Sequence, residues 1–213
     1  MKLDAFWPEG YFCHHEVAEK KGYSGTALFS KLEPIEVIHG LGADEFDIEG
    51  RYIECHFNDF VIASAYFPSG SSGDKRQEAK YRFLDIFKKK LDSINEKKIS
   101  YLFCGDVNIV HKEIDITNWK ANQKNSGCLP EERAWLDKII DEHGCTDAFR
   151  SINTKSEEYT WWSNRGRAWD NNVGWRIDYQ MLVNYEKMRT INAKIYKQKR
   201  FSDHSPLIID YEL

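Results

Sequence analysis

Hydrophobic and polar residues follow two periods along this chain. In "GRYIECHF" (50–57), Tyr52, Glu54 and His56 alternate with Ile53, Cys55 and Phe57, the period of a strand with two unlike faces. "FVIASAYF" (60–67) is a continuous apolar run, which predicts a buried strand, and "SYLFCGDVN" (100–108) predicts another that ends in polar residues. Strands are also expected at "GTALFSK" (25–31) and "IEVIHGLG" (35–42), on either side of an early turn. Later ones are expected at "EYTWW" (158–162), "WRIDYQMLV" (175–183) and "SPLIIDYEL" (205–213). Between them lie two segments with helical period. In 75–97, Leu84, Phe87, Leu91 and Ile94 recur at spacings of three and four, with lysines on the other face. In "LPEERAWLDKIIDEHG" (129–144), Pro130 suits the first turn, Glu131 and Glu132 suit the positive end, and Gly144 suits the stop. Its core face is Trp135, Leu136, Ile139 and Ile140. Helices between buried strands point to an α/β or α+β layered sandwich.

At 213 residues, with 41% apolar and 30% charged positions, the chain reads as one globular domain, 1–213. It has no 18-residue apolar run to span a membrane, and "MKLDAFWPEG" lacks the apolar core of a signal peptide. The five cysteines are an odd count without a C-x-x-C pair, which suits reduced thiols in a cytoplasmic protein. A net charge of −4 argues mildly against simple coating of DNA. It leaves room for a phosphodiester enzyme, whose carboxylates lower the total while a basic rim remains.

Polar groups collect at the ends of the predicted strands, where rigid scaffolds present chemistry. Tyr66 ends one, Asp106 and Asn108 end another, Asp178 lies inside "WRIDY", and Asp203 and His204 precede the last. Carboxylates that bind Mg²⁺ or accept a proton from water, beside His, Asn and Tyr that bind phosphate, suit metal-assisted hydrolysis of a phosphate ester. Each residue also has a plain structural role open to it. Asp106 and Asn108 suit a turn, Asp178 suits an ion pair with Arg176 or Lys199, and Tyr66 suits the core.

Nine segments together resemble the exodeoxyribonuclease III class of abasic-site repair nucleases. In order they are "GYSGTALFSK", "EGRYIECHF", "AYFPSG", "FCGDVNIVHKEIDITN", "NQKNSGCLPEERAW", "DAFR", "YTWWSNRG", "NNVGWRIDY" and "SDHSP". The resemblance implies an α+β, four-layer α/β/β/α sandwich and Mg²⁺- or Mn²⁺-dependent cleavage of DNA 5′ to abasic sites, with 3′-to-5′ exonuclease and 3′-phosphodiesterase activity beside it. It implies that Asp106 activates water, Asn108 orients the water or phosphate, and His204 contacts the scissile phosphate. Asp178 fixes the His204 ring, Tyr66 donates to phosphate, and Asp203 joins Asp106 at the metal. Asn122 and Asn125 match residues that contact the backbone or abasic sugar, and Trp161, Trp175 and Ile177 match the walls of the sugar pocket. The implied partner is double-stranded DNA with abasic sites or 3′ ends, bound by a monomer in the cytoplasm, at the nucleoid in a bacterium. Lys194, Lys197, Lys199 and Arg200 are candidates to steer the DNA backbone, or simply a solvated face.

The resemblance departs at the front. Such proteins open with a strand, a helix and a second strand that carry an Asn and a metal-binding Glu, and "MKLDAFWPEGYF" matches the segment after these. The expectation is an N-terminally shortened sandwich. It brings a second reading, a catalytically silent remnant that binds abasic DNA. A third, a phosphatase of small phosphoesters, is opposed by Trp161, Trp175 and the two asparagines.

Overall fold

The computed structural model describes residues 7–185 and 188–213. Residues 1–6, which open the stretch read for a signal peptide, lie outside them. Strand β1 (Phe12–Val17) pairs antiparallel with β2 (Gly25–Ser30), so that Val17 meets Gly25 and Phe12 meets Ser30. The remaining strands are β3 (Glu36–His39), β4 (Tyr52–His56), β5 (Val61–Ala65), β6 (Tyr101–Asp106), β7 (Thr146–Asp147), β8 (Trp161–Trp162), β9 (Gly174–Trp175), β10 (Asp178–Val183), β11 (Arg189–Ile195) and β12 (Leu207–Glu212). The helices are α1 (Asp44–Asp47), α2 (Asp74–Glu96), α3 (Trp119–Asn122) and α4 (Pro130–Asp141).

A six-stranded sheet in the order β3-β4-β5-β6-β10-β7 is the centre of the fold. β5 and β6 pair parallel, and the chain between them crosses over through α2, as a parallel pair requires. One face of this sheet packs against α2 and α4. The predicted face of α2 is buried in full, and Trp135, Leu136 and Ile139 of α4 meet it, with Ile140 partly covered. Phe67, Phe83, Phe87, Phe103 and Trp135 form one aromatic cluster there, with Phe67 and Phe87 centroids 4.7 Å apart. Burying each such side chain contributes about 1.5–3 kcal/mol. The opposite face carries two ribbons. Leu28 of β2 packs on Ile53 and Cys55, and Ile209 and Tyr211 of β12 pack on Leu102 and Leu182. The helical layer, the six-stranded sheet and the ribbon layer stack in that order, an α+β arrangement.

Several predicted strands are shorter than their apolar patterns. "EYTWW" yields only β8, which pairs with β9. "WRIDYQMLV" splits into β9 and β10, because Arg176 and Ile177 leave the ladder. The Arg176 N–H donates to the Asp115 carbonyl, and the Ile177 and Asp178 N–H groups donate to Thr160 Oγ1 at 3.1 Å. The alternation at Tyr52, Glu54 and His56 does not mark a solvent face. Glu54 is buried, where it accepts hydrogen bonds from Tyr52, His56 and Lys90. The five cysteines are free, three of them buried. No described helix is long and apolar enough to cross a membrane.

Candidate active site

Antiparallel pairing of β6 with β10 sets Asp106 directly opposite Asp178. Gly105 makes the close approach beside them possible. Its φ is +143°, and a Cβ there would lie 2.0 Å from the Ala65 carbonyl oxygen. After Asp106 the chain turns through Asn108, whose φ is 56°. The Asn108 N–H donates to Asp106 Oδ1 at 2.8 Å, and its side-chain amide donates to Asp106 Oδ2 at 2.9 Å and to the Phe67 carbonyl at 3.0 Å. Asn108 is thus a brace on both oxygens of Asp106.

His204 reaches the same place from the loop ahead of β12. That loop is tied to β8: the Trp162 N–H donates to the Asp203 carbonyl at 2.9 Å and the Ser205 N–H to the Thr160 carbonyl at 2.8 Å. His204 Nδ1 donates to Asp178 Oδ2 at 2.9 Å. Asp178 therefore serves His204, while Arg176 pairs with Asp115 and Asp147 instead. Trp161 Nε1 donates to Asp203 Oδ2 at 3.2 Å.

These groups shift one another. Burial first, and then the Asp178 charge, push the Asp106 carboxyl up to about 7, against the pull of His204, the Asn108 N–H and Lys80. Burial disfavours the His204 imidazolium, but the hydrogen bond and charge of Asp178, with Asp106 and Asp203, outweigh it and raise His204 to about 9. Burial, then the Asp106 charge, raises the Tyr66 phenol, which keeps it a donor. Its ring lies under the Arg51 guanidinium, 4.9 Å from the centroid.

A cleft of about 900 Å³ opens over this cluster. Tyr66, Asp106, Asn108, Asp203 and His204 line its polar side, and Trp161, Trp175 and Ile177 line an apolar wall. The two indoles meet edge to face at 5.9 Å. Asn125 faces the cleft. Asn122 does not: its amide caps the Thr117 and Asn118 carbonyls, and its oxygen accepts from Asn125. Among the described residues, Lys124 and Arg165 also line the cleft. Lys194, Lys197, Lys199 and Arg200 do not line it; Lys197 pairs with Glu158, and Arg200 donates to Asn164. Lys124 and Arg165 lie inside the segments "NQKNSGCLPEERAW" and "YTWWSNRG", with nothing in their spacing to single them out.

Among the described residues no three acidic, His or Cys side chains form a cage able to hold a metal alone. Asp106 and Asp203 nevertheless present hard carboxylate oxygens to one cleft. That donor set fits a cation bound by one or two carboxylates that completes its shell with water and substrate phosphate.

Residues 2–204 match the Endonuclease/Exonuclease/phosphatase family. The chain is 38% identical over 201 residues to an exodeoxyribonuclease of Bacillus subtilis, covering 94% of this chain and 79% of that protein. It is 37% identical over 204 residues to the DNA repair nuclease APEX1 of Danio rerio, covering 95% of this chain and 64% of the relative. Among solved structures it resembles a Neisseria 3′ phosphatase, NExo, bound to a product DNA hairpin, with a TM-score of 0.87 at 21% identity over 100% of this chain and 84% of that one. An AP endonuclease from Archaeoglobus fulgidus also has a TM-score of 0.87, at 23% identity over the same shares.

Proposed function

This chain belongs to the endonuclease/exonuclease/phosphatase family, and from that premise we propose that it is a DNA repair nuclease that hydrolyses the backbone 5′ to abasic sites. The same site would trim 3′ ends, as 3′-to-5′ exonuclease and 3′-phosphodiesterase. The observation that carries the reading is the joining of Asp106, Asp178 and His204 at the floor of a cleft with an indole wall. The silent-remnant alternative rests on the metal-binding Glu that the sequence lacks, and the relatives, an exodeoxyribonuclease and a DNA repair nuclease, favour the active reading over it.

Each group has a task that its surroundings support. Asp106 takes a proton from the attacking water. Asn108 keeps its carboxylate aimed. His204, raised to about 9 because its carboxylate neighbours outweigh burial, would offset charge on the phosphate, with Asp178 holding its ring as a carboxylate holds the His of a triad. Tyr66 donates to a phosphate oxygen. The family is one of metal-dependent nucleases. Here Asp106 and Asp203 would hold Mg²⁺ or Mn²⁺, which when bound supplies Lewis-acid stabilisation of the phosphate oxygens.

The indole wall supports the choice of lesion. Trp161, Trp175 and Ile177 suit the apolar faces of a deoxyribose without its base, and extrusion costs least where base and stacking are already lost. Asn125, Lys124 and Arg165, which line the cleft, would meet the flanking backbone. Product analysis tests the reading. A 5′-labelled duplex should first yield a fragment ending in a 3′-hydroxyl at the position 5′ to the abasic site, which longer incubation shortens as the 3′ end is trimmed. Turnover of soluble phosphoesters with no incision of the duplex would replace it by a phosphatase.

A further inference from the structure

We propose that the buried ion pair Lys80–Glu132 positions two walls of the cleft, the Asp106–Asn108 turn and the Asn125–Leu129 loop, for reaction. The inference rests on the nuclease reading of the site.

Lys80 of α2 and Glu132 of α4 are both fully buried, and Lys80 Nζ donates to Glu132 Oε1 at 2.5 Å. Lys80 also donates to the Asn108 carbonyl at 2.8 Å. Glu132 spends its other oxygen on the main chain, accepting from the Gly127 N–H at 2.6 Å and the Leu129 N–H at 3.0 Å. Gln77 adds a donor to Oε1 at 3.0 Å. The clamped pieces also touch each other. The Val110 N–H donates to the Gly127 carbonyl at 2.7 Å. Gly127, with φ +91°, lies so close that a Cβ would sit 3.0 Å from the Trp175 ring and 3.1 Å from the Asn108 carbonyl oxygen.

A buried ion pair is a poor source of stability, since apolar side chains of equal volume often fill such a place as well or better. This one joins loops instead. Its free hydrogen-bonding capacity goes to the carbonyl of the residue that braces Asp106 and to the amides of a loop that lines the cleft. Misplacing such a brace by about 1 Å can cost about 10²-fold in rate. Lys80 and Glu132 touch no substrate; they are positioning residues.

The test separates position from stability. Lys80→Met leaves the buried Glu132 carboxyl without its cation, and should lower the Tm. Lys80→Met/Glu132→Gln removes both charges and keeps the side-chain volumes, and should recover much of that Tm. Its kcat on an abasic duplex should stay about tenfold or more below the unaltered chain, with KM within about threefold. Glu132→Gln alone, the mildest change, should move kcat in the same direction. Recovery of kcat together with Tm, or a loss carried by KM alone, would overturn the proposal. Amide exchange reads the clamp without turnover, so it decides even if the unaltered chain does not incise and the nuclease reading itself fails. Gly127 and Leu129 should exchange faster in the double variant while Phe103 in β6 holds its protection. Unchanged protection at Gly127 and Leu129 would sink the clamp.

Discussion

His204 and Asp178 are 26 residues apart in sequence and meet through a hydrogen bond of 2.9 Å from Nδ1 to Oδ2. The bond leaves Nε2 as the ring's outward nitrogen, on the side of the cleft that His204 lines. Burial lowers the imidazole, but this bond and the charges of Asp178, Asp106 and Asp203 outweigh it and raise the ring above its ordinary value of 6.5, to about 9.

A folded-state pKa above the unfolded one gives stability that is fully present below about pH 6.5 and is lost as pH rises through about 9. Asp178→Asn should therefore cost more stability near pH 6 than near pH 10. In EDTA-treated protein, NMR titration should place His204 near 9, and near its ordinary value in Asp178→Asn. The same substitution should slow incision by about 10²–10⁴-fold. A His204 that titrates at 6.5 in both proteins would remove Asp178 from its role.

Trp175→Ala and Trp161→Ala should weaken binding to an abasic duplex by about 1–2 kcal/mol, near tenfold, with much less effect on intact duplex. Anisotropy titration in EDTA measures both without cleavage. Equal losses on the two duplexes would mean that the indoles grip DNA in general and do not select the lesion.

Behind the apolar wall, between Trp175 and Ile177, Arg176 should carry stability. It is fully buried between Asp115 and Asp147, with Arg150 also on Asp115. Arg176→Met leaves two buried carboxylates poorly paired and should cost about 3–5 kcal/mol in chemical denaturation. Burial opposes the Asp115 charge, but Arg176 and then Arg150 outweigh it and hold its pKa below 3.8. That stabilisation is present above pH 3.8 and lost as pH falls through the folded value, so the variant's deficit should narrow in acid. A deficit that is constant across this range would contradict the assignment.

Local periodicity made the helices and the central strands legible. Phe87 and Leu91 declare the buried face of α2, and the apolar run at 60–67 declares β5. β1 escaped notice because Phe12, Cys13, His14, His15, Glu16 and Val17 carry no apolar alternation; its register comes from pairing with β2. β11 is similar, being mostly exposed and held by β12. The site was legible where strand ends and motifs coincide, as at Asp106, Asp178 and His204. Asn122 was not, since its motif gives no hint that its amide is spent on Thr117 and Asn118. In the sequence Glu132 stands only as a charge suited to the positive start of α4. Its position three residues after Leu129 was the available sign that it turns back onto the loop, whose N–H groups it accepts.

Central to this account is hydrolysis by Asp106 with a divalent cation. The direct measurement is incision of a duplex bearing one stable abasic analogue by the 213-residue chain, with Mg²⁺, with EDTA, and beside Asp106→Asn. The account predicts a single cut 5′ to the lesion that EDTA abolishes and that Asp106→Asn slows by about 10²-fold or more. Folded protein that leaves the duplex intact in both Mg²⁺ and Mn²⁺, or an Asp106→Asn variant that cuts at the full rate, would contradict it.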